Sequence, residues 1–140
     1  MRVVLDTNIV VSGLLQAQGN PAQVLALVLS GAIQACHDKH MLAEHAEVLA
    51  RPRFRLDPIR VRHVPNKFEA DGLAVDASGE PNLDLPDRDD EPFLAVALAV
   101  QADDLVTGNP SDDPPAERRG CSVVSPATFM ERWRGWQQRE

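Results

Sequence analysis

The stretch Val3-Val4-Leu5-Asp6-Thr7-Asn8 places an acid directly after a short apolar run. Two β-branched residues followed by a leucine are typical of a parallel strand that is buried on both faces. In open α/β sheets, ligands bind in the crevice beyond the carboxyl ends of the strands. Asp6 is therefore either a turn-forming residue or a residue of metal or phosphate chemistry, and the positions of the other acids decide between the two.

The composition is that of an ordinary globular protein. The chain has 140 residues, of which 44% are hydrophobic, and this predicts one domain, residues 1–140, with a substantial core. The longest apolar stretches, Val24–Leu29 and Phe93–Val100, are too short to span a bilayer, and polar residues interrupt any signal-like segment near the start. We therefore expect a cytoplasmic protein without membrane segments, in which Cys36 and Cys121 are reduced core thiols.

The net charge of −7 argues against non-specific binding to nucleic acid, which requires a positive surface. The charges are nevertheless unevenly spread. The basic cluster consists of Arg51, Arg53, Arg55, Arg60, Arg62, His63 and Lys67, and the acidic block consists of Asp84, Asp87, Asp89, Asp90 and Glu91. Taken singly, each of these is most simply a solvated surface residue. A polyanionic substrate would require metal ions, the basic cluster or a basic partner to offset the repulsion.

Apolar runs and helical patterns alternate along the chain. The predicted strands are Val3–Leu5, Ala32–Cys36, a short one at Val75, Leu105–Thr107 and Ser122–Val124. The predicted helices are Ala22–Leu29, a helix capped by Asp38 that carries Met41 to Leu49, Ile59–Leu73, Phe93–Ala102 and Ala127–Trp136. Ser125-Pro126 predicts the start of the last helix, with Ser125 as its cap and Pro126 in its first turn. Pro65 predicts a break or kink within the third of these helices. The alternation indicates a parallel sheet that is covered by helices on both faces.

Several acids are expected at one edge of this sheet. If the strand order reverses next to the first strand, the first, second and fourth strands are neighbours, and their carboxyl ends share one crevice. The residues that would meet there are Asp6, Glu44 with Asp38 nearby, Asp90 and Glu91, and Asn109 with Asp112 and Asp113. Their oxygen atoms suit Mg²⁺ or Mn²⁺ rather than zinc. The histidines His37, His40, His45 and His63 have no thiol partners at ligand spacing, and a surface at the start of a helix explains His37 and His40 more simply.

A cluster of carboxylates is suited to one kind of chemistry. Unpaired carboxylates at close range repel one another, so that one of them would normally take up a proton. A divalent cation keeps them ionised and can activate water, orient a phosphodiester and stabilise the leaving oxygen. The pattern therefore predicts hydrolysis of phosphodiester bonds.

Each acid also has a simpler interpretation. Asp6-Thr7-Asn8 could be only a turn and helix cap, and Glu44 an exposed helix residue. The acids from Asp87 to Glu91 could mark a helix N-terminus, and Asn109 a turn. Other α/β classes lack their motifs, because the chain has no glycine-rich dinucleotide loop, no Walker A loop and no nucleophile elbow.

The chain resembles the PIN-domain family, and in particular its toxin-type (VapC-like) ribonucleases. The resemblance rests on an ordered set of stretches that covers nearly the whole chain. They are Val4-Leu5-Asp6-Thr7-Asn8-Ile9, Leu42-Ala43-Glu44, Glu47 to Phe54, Asp87 to Leu94, Leu105-Val106-Thr107-Gly108-Asn109, and Val123 to Phe129.

The resemblance implies a three-layer α/β/α sandwich with a central parallel sheet and a Mg²⁺- or Mn²⁺-dependent RNA endonuclease site. The implied metal ligands are Asp6, Glu44, Asp90 or Glu91, Asn109 and Asp112. Of the two candidates for the third acid, Asp90 is favoured, because it brings Ala95 and Ala97 into register with the family's small-residue helix. Asn8 and Thr107 would orient the catalytic residues Asp6, Glu44 and Asp90. Asn109 stands where the family usually has aspartate, which lowers the charge of the site.

The resemblance also implies partners. The leading hypothesis is a ribonuclease toxin that is neutralised by a small antitoxin, with Arg51, Arg53 and Arg55 contacting RNA. Homodimerisation is expected from the family and from Trp133 and Trp136, although both tryptophans could simply pack onto the domain. The alternative is a catalytically weak or inactive PIN-fold module that acts by dimerisation or partner binding. A phosphatase of another α/β class is a distant third, because its lysine is missing.

Overall fold

A computed structural model describes residues 1–76, 91–108 and 122–138. Strands and helices alternate through most of this part of the chain. The strands are β1 (Arg2–Leu5), β2 (Gln34–His37), β3 (Leu73–Ala74), β4 (Asp104–Val106) and β5 (Ser122–Val124). The helices are α1 (Thr7–Leu15), α2 (Asn20–Leu29), α3 (Lys39–Leu49), α4 (Pro58–Asp71), α5 (Glu91–Val100) and α6 (Pro126–Gln138), with a 3₁₀ turn at Pro52–Phe54.

The strands form one parallel sheet in the order β3-β2-β1-β4-β5. Val3 is paired with Ala35 on one side, and Leu5 is paired with Val106 on the other. The predicted neighbours of the first strand are thus confirmed. The order changes direction at β1, so the carboxyl ends of β1, β2 and β4 border one crevice, as a doubly wound sheet requires.

Helices cover both faces of the sheet, because successive strand residues point to opposite sides. Val3 and Leu5 belong to a core cluster that includes residues of α1, α2, α4 and α6. Val4 belongs to a second cluster that includes much of α5. This is the predicted three-layer α/β/α arrangement with a central parallel sheet.

Helix α1 is absent from the predicted elements. Its sequence, Ile9-Val10-Val11 followed by Leu14, is rich in β-branched residues and lacks an obvious helical pattern. Packing against α2 supports the helix, since the space beside Gly13 is filled by the carbonyl oxygen of Pro21 and the side chain of Leu25. Tertiary contact therefore decides the structure of a segment whose local propensity is weak.

Helix α4 runs without a break through Pro65, so of the predicted break or kink the break does not occur. Proline lacks an N–H group and removes one hydrogen bond from the helix interior. The buried side chains of Val64 and Phe68 lie on either side of this position and anchor both halves of the helix to the core. Burial of these side chains outweighs the cost of the proline.

Several predicted boundaries also move. The third strand is Leu73–Ala74 rather than Val75, whose N–H donates to the carbonyl oxygen of His37 just beyond the strand. The second and fourth strands are Gln34–His37 and Asp104–Val106, and α5 starts two residues earlier than predicted. The predicted caps are confirmed: Asp38 Oδ1 accepts from the Met41 N–H at 2.8 Å, and Ser125 Oγ accepts from the Thr128 N–H at 3.1 Å.

Burial corrects one further expectation. His37 is not on a surface, because it is the last residue of β2 and only 2% exposed, whereas His40 is exposed.

Cys36 is a buried free thiol as predicted, and Cys121 lies outside the described residues. Trp133 is buried and stacks on Trp136 with ring centroids 5.2 Å apart, so both tryptophans pack onto the domain.

Helix α6 is tied to the sheet by an ion pair. The Arg132 guanidinium lies 3.2 Å from Asp104 Oδ1, and Asp104 is fully buried at the start of β4.

Across residues 1–76, 91–108 and 122–138, none of the helices has both the length and the apolar character that crossing a bilayer requires.

Candidate active site

Asp6 lies between the carboxyl ends of β1 and β4. Its N–H donates to the carbonyl oxygen of Val106, and Oδ1 accepts from the Ile9 N–H at 3.0 Å, so Asp6 caps helix α1. The residue is 7% exposed. The two interpretations of this residue are therefore compatible, since one oxygen serves as a helix cap while the carboxylate occupies the sheet edge where ligands bind.

Thr107 holds the other oxygen of the same carboxylate. Its Oγ1 donates to Asp6 Oδ2 at 2.5 Å, and its backbone N–H donates to the carbonyl oxygen of Val124. The backbone bond fixes Thr107 at the end of β4, and the hydroxyl then fixes the carboxylate. Thr107 occupies the place in which an orienting residue was predicted.

Glu44 is joined to the same segment through Thr7. The Thr7 hydroxyl donates to Glu44 Oε2 at 2.5 Å, which links the start of α1 to the middle of α3. Glu44 is thus hydrogen-bonded to the residue that directly follows Asp6. Thr7 is absent from the predicted site residues, and its only sequence signal was its place between Asp6 and Asn8.

The electrostatics of Asp6 favour an added positive charge. Burial raises the pKa of Asp6 above its usual value, and the nearby Glu44 raises it further. The Thr107 hydroxyl and the backbone N–H groups of Ile9 and Asn8 act in the opposite direction, but do not outweigh burial. A bound cation would stabilise the ionised form of this carboxylate.

His45 fixes the rotation of α3 about its axis. Its ring is fully buried, edge-on to Phe68 with centroids 5.6 Å apart and stacked with Phe93 at 6.3 Å. Neither ring nitrogen makes a hydrogen bond of good geometry within the described residues. Burial lowers the pKa of His45 to about 4, and the Leu5 backbone offsets this only in part. The packing of this neutral ring places the preceding residue, Glu44, toward α1.

The remaining predicted site residues are only partly covered. The Asn8 backbone N–H donates a hydrogen bond to Asp6, and the residue as a whole is exposed to solvent. Asp90, Asn109, Asp112 and the Glu91 side chain lie outside the described part of the chain. Helix α5, which begins at Glu91, contacts β1 and ends shortly before β4 starts, so it begins toward the carboxyl edge of the sheet.

The donor set fits a hard divalent cation. Asp6 and Glu44 supply carboxylate oxygens, the ligands that Mg²⁺ and Mn²⁺ prefer. The described residues contain no group of three or more histidines, cysteines or acids that could hold a metal. They therefore provide two carboxylates, and a third acidic, histidine or cysteine ligand would lie outside the described residues.

The predicted RNA-contacting arginines lie at the end of α3 and in the 3₁₀ turn. Arg51 pairs with Glu47 at 2.9 Å, Arg53 lies over the Phe54 ring at 4.8 Å, and Arg55 has a left-handed backbone with φ of 51°. The pKa of Arg51 is raised, first by its hydrogen bond to Glu47 and more weakly by Glu44. Of the three arginines, Arg51 is therefore near enough to Glu44 for their charges to interact.

Fold and site together define an α/β/α protein with a buried acid at the edge where β1 and β4 meet. A family model for the PIN domain matches residues 2–111, and the chain belongs to the PIN-domain family. PIN domains are in general nucleases. No curated protein matches the chain.

A solved structure shows the same fold. It is the crystal structure of VapBC2 from Rickettsia felis bound to a DNA fragment from its promoter. The match covers 89% of this chain and 98% of that chain. The TM-score is 0.57 and the sequence identity is 16%, so the likeness is one of fold.

Proposed function

We propose that the protein is a metal-dependent ribonuclease that hydrolyses phosphodiester bonds and serves as the toxin of a toxin–antitoxin pair. The observation that carries the proposal is the buried Asp6 carboxylate, held at the β1–β4 edge beside Glu44. A second acid nearby would not stabilise a purely structural carboxylate. A carboxylate that binds a cation benefits from the second acid, because the cation can be held by both.

The proposed ligands of Mg²⁺ or Mn²⁺ are Asp6, Glu44, Asp90 or Glu91, Asn109 and Asp112. The bound ion would activate water and stabilise the charge of the phosphodiester. Thr107 and the N–H groups at the start of α1 hold Asp6, and Thr7 holds Glu44. Both carboxylates are thus positioned before a cation binds, which lowers the cost of assembling the site.

The proposed substrate is RNA. RNA would run along the edge carrying Arg51, Arg53 and Arg55, since phosphate oxygens pair well with guanidinium groups. Of the three, Arg51 is already engaged by Glu47. The toxin role is supported by the likeness to VapBC2. A small antitoxin partner, a homodimer and action in the cytoplasm are proposed with it, on the resemblance of the sequence to toxin-type PIN proteins.

The experiment measures cleavage of labelled single-stranded RNA with Mg²⁺, with Mn²⁺ and with EDTA. Asp6→Asn and Glu44→Gln should each reduce the rate by more than about 100-fold. Glu47→Gln is the matched control, because Glu47 lies on the same helix but pairs with Arg51 at the surface, and it should retain the rate within about threefold. Cleavage that survives in EDTA, or that both acid variants retain, would contradict the proposal.

The alternative is a PIN fold kept for dimerisation or partner binding. The sequence feature that favours it is Asn109, which lowers the charge of the site. A melting curve with increasing Mn²⁺ separates the two functions. A functional site should raise the melting temperature progressively as the Mn²⁺ concentration increases, whereas no shift at millimolar Mn²⁺ would favour the module.

A further inference from the structure

A groove lies where the end of α3, the 3₁₀ turn and the start of α4 meet. Its volume is about 250 Å³. The apolar lining includes Leu49, Leu56 and Val61, and the basic residues Arg51, Arg55 and Arg62 also line it. Small-molecule sites usually enclose roughly 300–1,000 Å³. The groove is therefore better matched to a side chain of a partner than to a free ligand.

The charges around the groove are available to a partner. Arg51 pairs with Glu47 across an exposed surface. Arg55 and Arg62 are exposed, and neither makes an ion pair within the described residues. Two guanidinium groups that lack an ion pair among the described residues lie beside an apolar groove, in a chain whose net charge is −7, and they complement an acidic partner.

An exposed apolar side chain extends the same surface. Ile59 is 68% exposed, the higher of the two values among the exposed large hydrophobic residues of the described chain. It lies in the first turn of α4, three positions before Arg62, so the two side chains are neighbours on the helix surface. Groove and isoleucine together form an apolar patch with basic residues beside it.

We propose that this surface, defined by the groove and Ile59, binds an acidic segment of a partner protein that inserts an aliphatic side chain between the arginines. RNA is the less favoured occupant of the groove itself, because single-stranded bases stack on aromatic rings and none of the described residues that line the groove is aromatic. A bound partner segment would therefore compete with the RNA that is proposed to contact Arg51 and Arg55 at the rim of the groove. The inference does not depend on the proposed ribonuclease activity.

The test uses the intact protein in EDTA and a labelled peptide with one leucine flanked on each side by two glutamates. Fluorescence anisotropy measures the affinity, and two altered peptides replace the leucine by alanine or the glutamates by lysine. The acidic leucine peptide should bind at least about tenfold more tightly than either altered peptide, because both the anchor and the charges contribute.

Variants locate the binding on the surface. Arg62→Glu should weaken binding about tenfold, and Ile59→Ala about threefold, since each removes one part of the patch. Arg60→Glu is the matched control on the same helix turn, because Arg60 is exposed but does not line the groove. At physiological salt it should weaken binding clearly less than Arg62→Glu does, because only partly screened long-range repulsion acts on the peptide.

Three results would overturn the proposal. The first is the absence of peptide binding at about millimolar concentration, which is the weakest affinity of interest. The second is equal binding of the alanine peptide, or equal effects of Arg60→Glu and Arg62→Glu, which would indicate general charge attraction. The third is a single-stranded RNA oligonucleotide that binds in the groove more tightly than the peptide and loses affinity with Ile59→Ala.

Discussion

Thr107 Oγ1 donates a hydrogen bond to Asp6 Oδ2 at 2.5 Å, although the two residues are 101 positions apart. The bond joins the residues that immediately follow β4 and β1. Since the other oxygen of Asp6 caps α1, both oxygens of the carboxylate have fixed partners. The geometry of the sheet edge thus sets the orientation of the acid.

Asp6→Asn should leave the metal-free protein at least as stable as the wild type. Asparagine keeps an oxygen for the Ile9 N–H and an amide group that can donate to the Thr107 hydroxyl. It also removes a buried charge that lies near Glu44, and burial and this neighbour both raise the pKa of Asp6. The melting temperature in EDTA at neutral pH measures the effect.

The same variant should lose its response to Mn²⁺. A wild-type melting temperature that rises with Mn²⁺, beside a variant that does not respond, is the expected pattern. A large fall in the melting temperature of Asp6→Asn in EDTA would instead indicate that the residue is mainly a structural cap.

Thr107→Val should reduce the metal-dependent cleavage rate about tenfold, because it removes a group that orients a ligand while keeping its shape. Thr128→Val provides the matched control, since Thr128 hydrogen-bonds with Ser125 at the exposed start of α6. An unchanged rate in Thr107→Val, with an unchanged melting temperature, would show that Asp6 needs no orientation from this hydroxyl.

His45→Leu should weaken the dependence of stability on pH. Burial lowers the pKa of His45 to about 4, below its ordinary value of 6.5, so the unfolded chain binds more protons between these values. The stability contributed by the neutral ring is complete above pH 6.5 and falls as the pH decreases toward 4. At pH 5 this loss is on the order of 2 kcal/mol.

Urea denaturation at pH 7 and pH 5 measures the difference. The wild type should lose more stability between these values than His45→Leu does, whatever the absolute stability of the variant. His40→Leu replaces an exposed histidine of the same helix and should retain the wild-type dependence. The buried His37, whose pKa is also lowered by burial, should leave a smaller dependence in the variant. A pH dependence in His45→Leu as large as that of the wild type would assign the effect to other groups.

Gly72→Ala should destabilise the fold by about 2–4 kcal/mol, because a Cβ atom would collide with the backbone where α4 ends against β2. The atom would overlap the carbonyl oxygens of Ala35 and Phe68 and lie 2.9 Å from Cδ2 of His37. Gly135→Ala is the matched control. No atom lies within 4 Å of its Cβ position in α6, so the helix should gain about 0.5–1 kcal/mol.

Chemical denaturation of both variants measures these changes. The sign should be opposite for the two glycines. A Gly72→Ala variant as stable as the wild type would mean that α4 can move away from β2 at little cost.

Local signals predicted most of the fold correctly. Apolar runs gave β1 and β5, and Asp38 and Ser125 marked the helix starts that they cap. Local signals failed where packing opposes propensity. The β-branched run of α1 is helical because it packs on α2, and α4 continues through Pro65 because its flanking side chains are buried.

The candidate site was predictable in part. The position of Asp6 after an apolar run pointed to the sheet edge, and Glu44 followed from its place after the second strand. Thr7 and His45 carried no comparable signal, because their roles depend on side chains of other elements, Glu44 for the one and Phe68 and Phe93 for the other.

The sequence by itself determined the alternation of strands and helices, the caps and the placement of an acid at the end of the first strand. Apolar periodicity and capping act over a few residues, so they can be recognised from local spacing. Only the tertiary structure decided that Thr107 meets Asp6, that Thr7 holds Glu44 and that His45 is buried behind it. These contacts depend on strand order and on the rotation of each helix against the sheet, which are set by the packing of the whole chain.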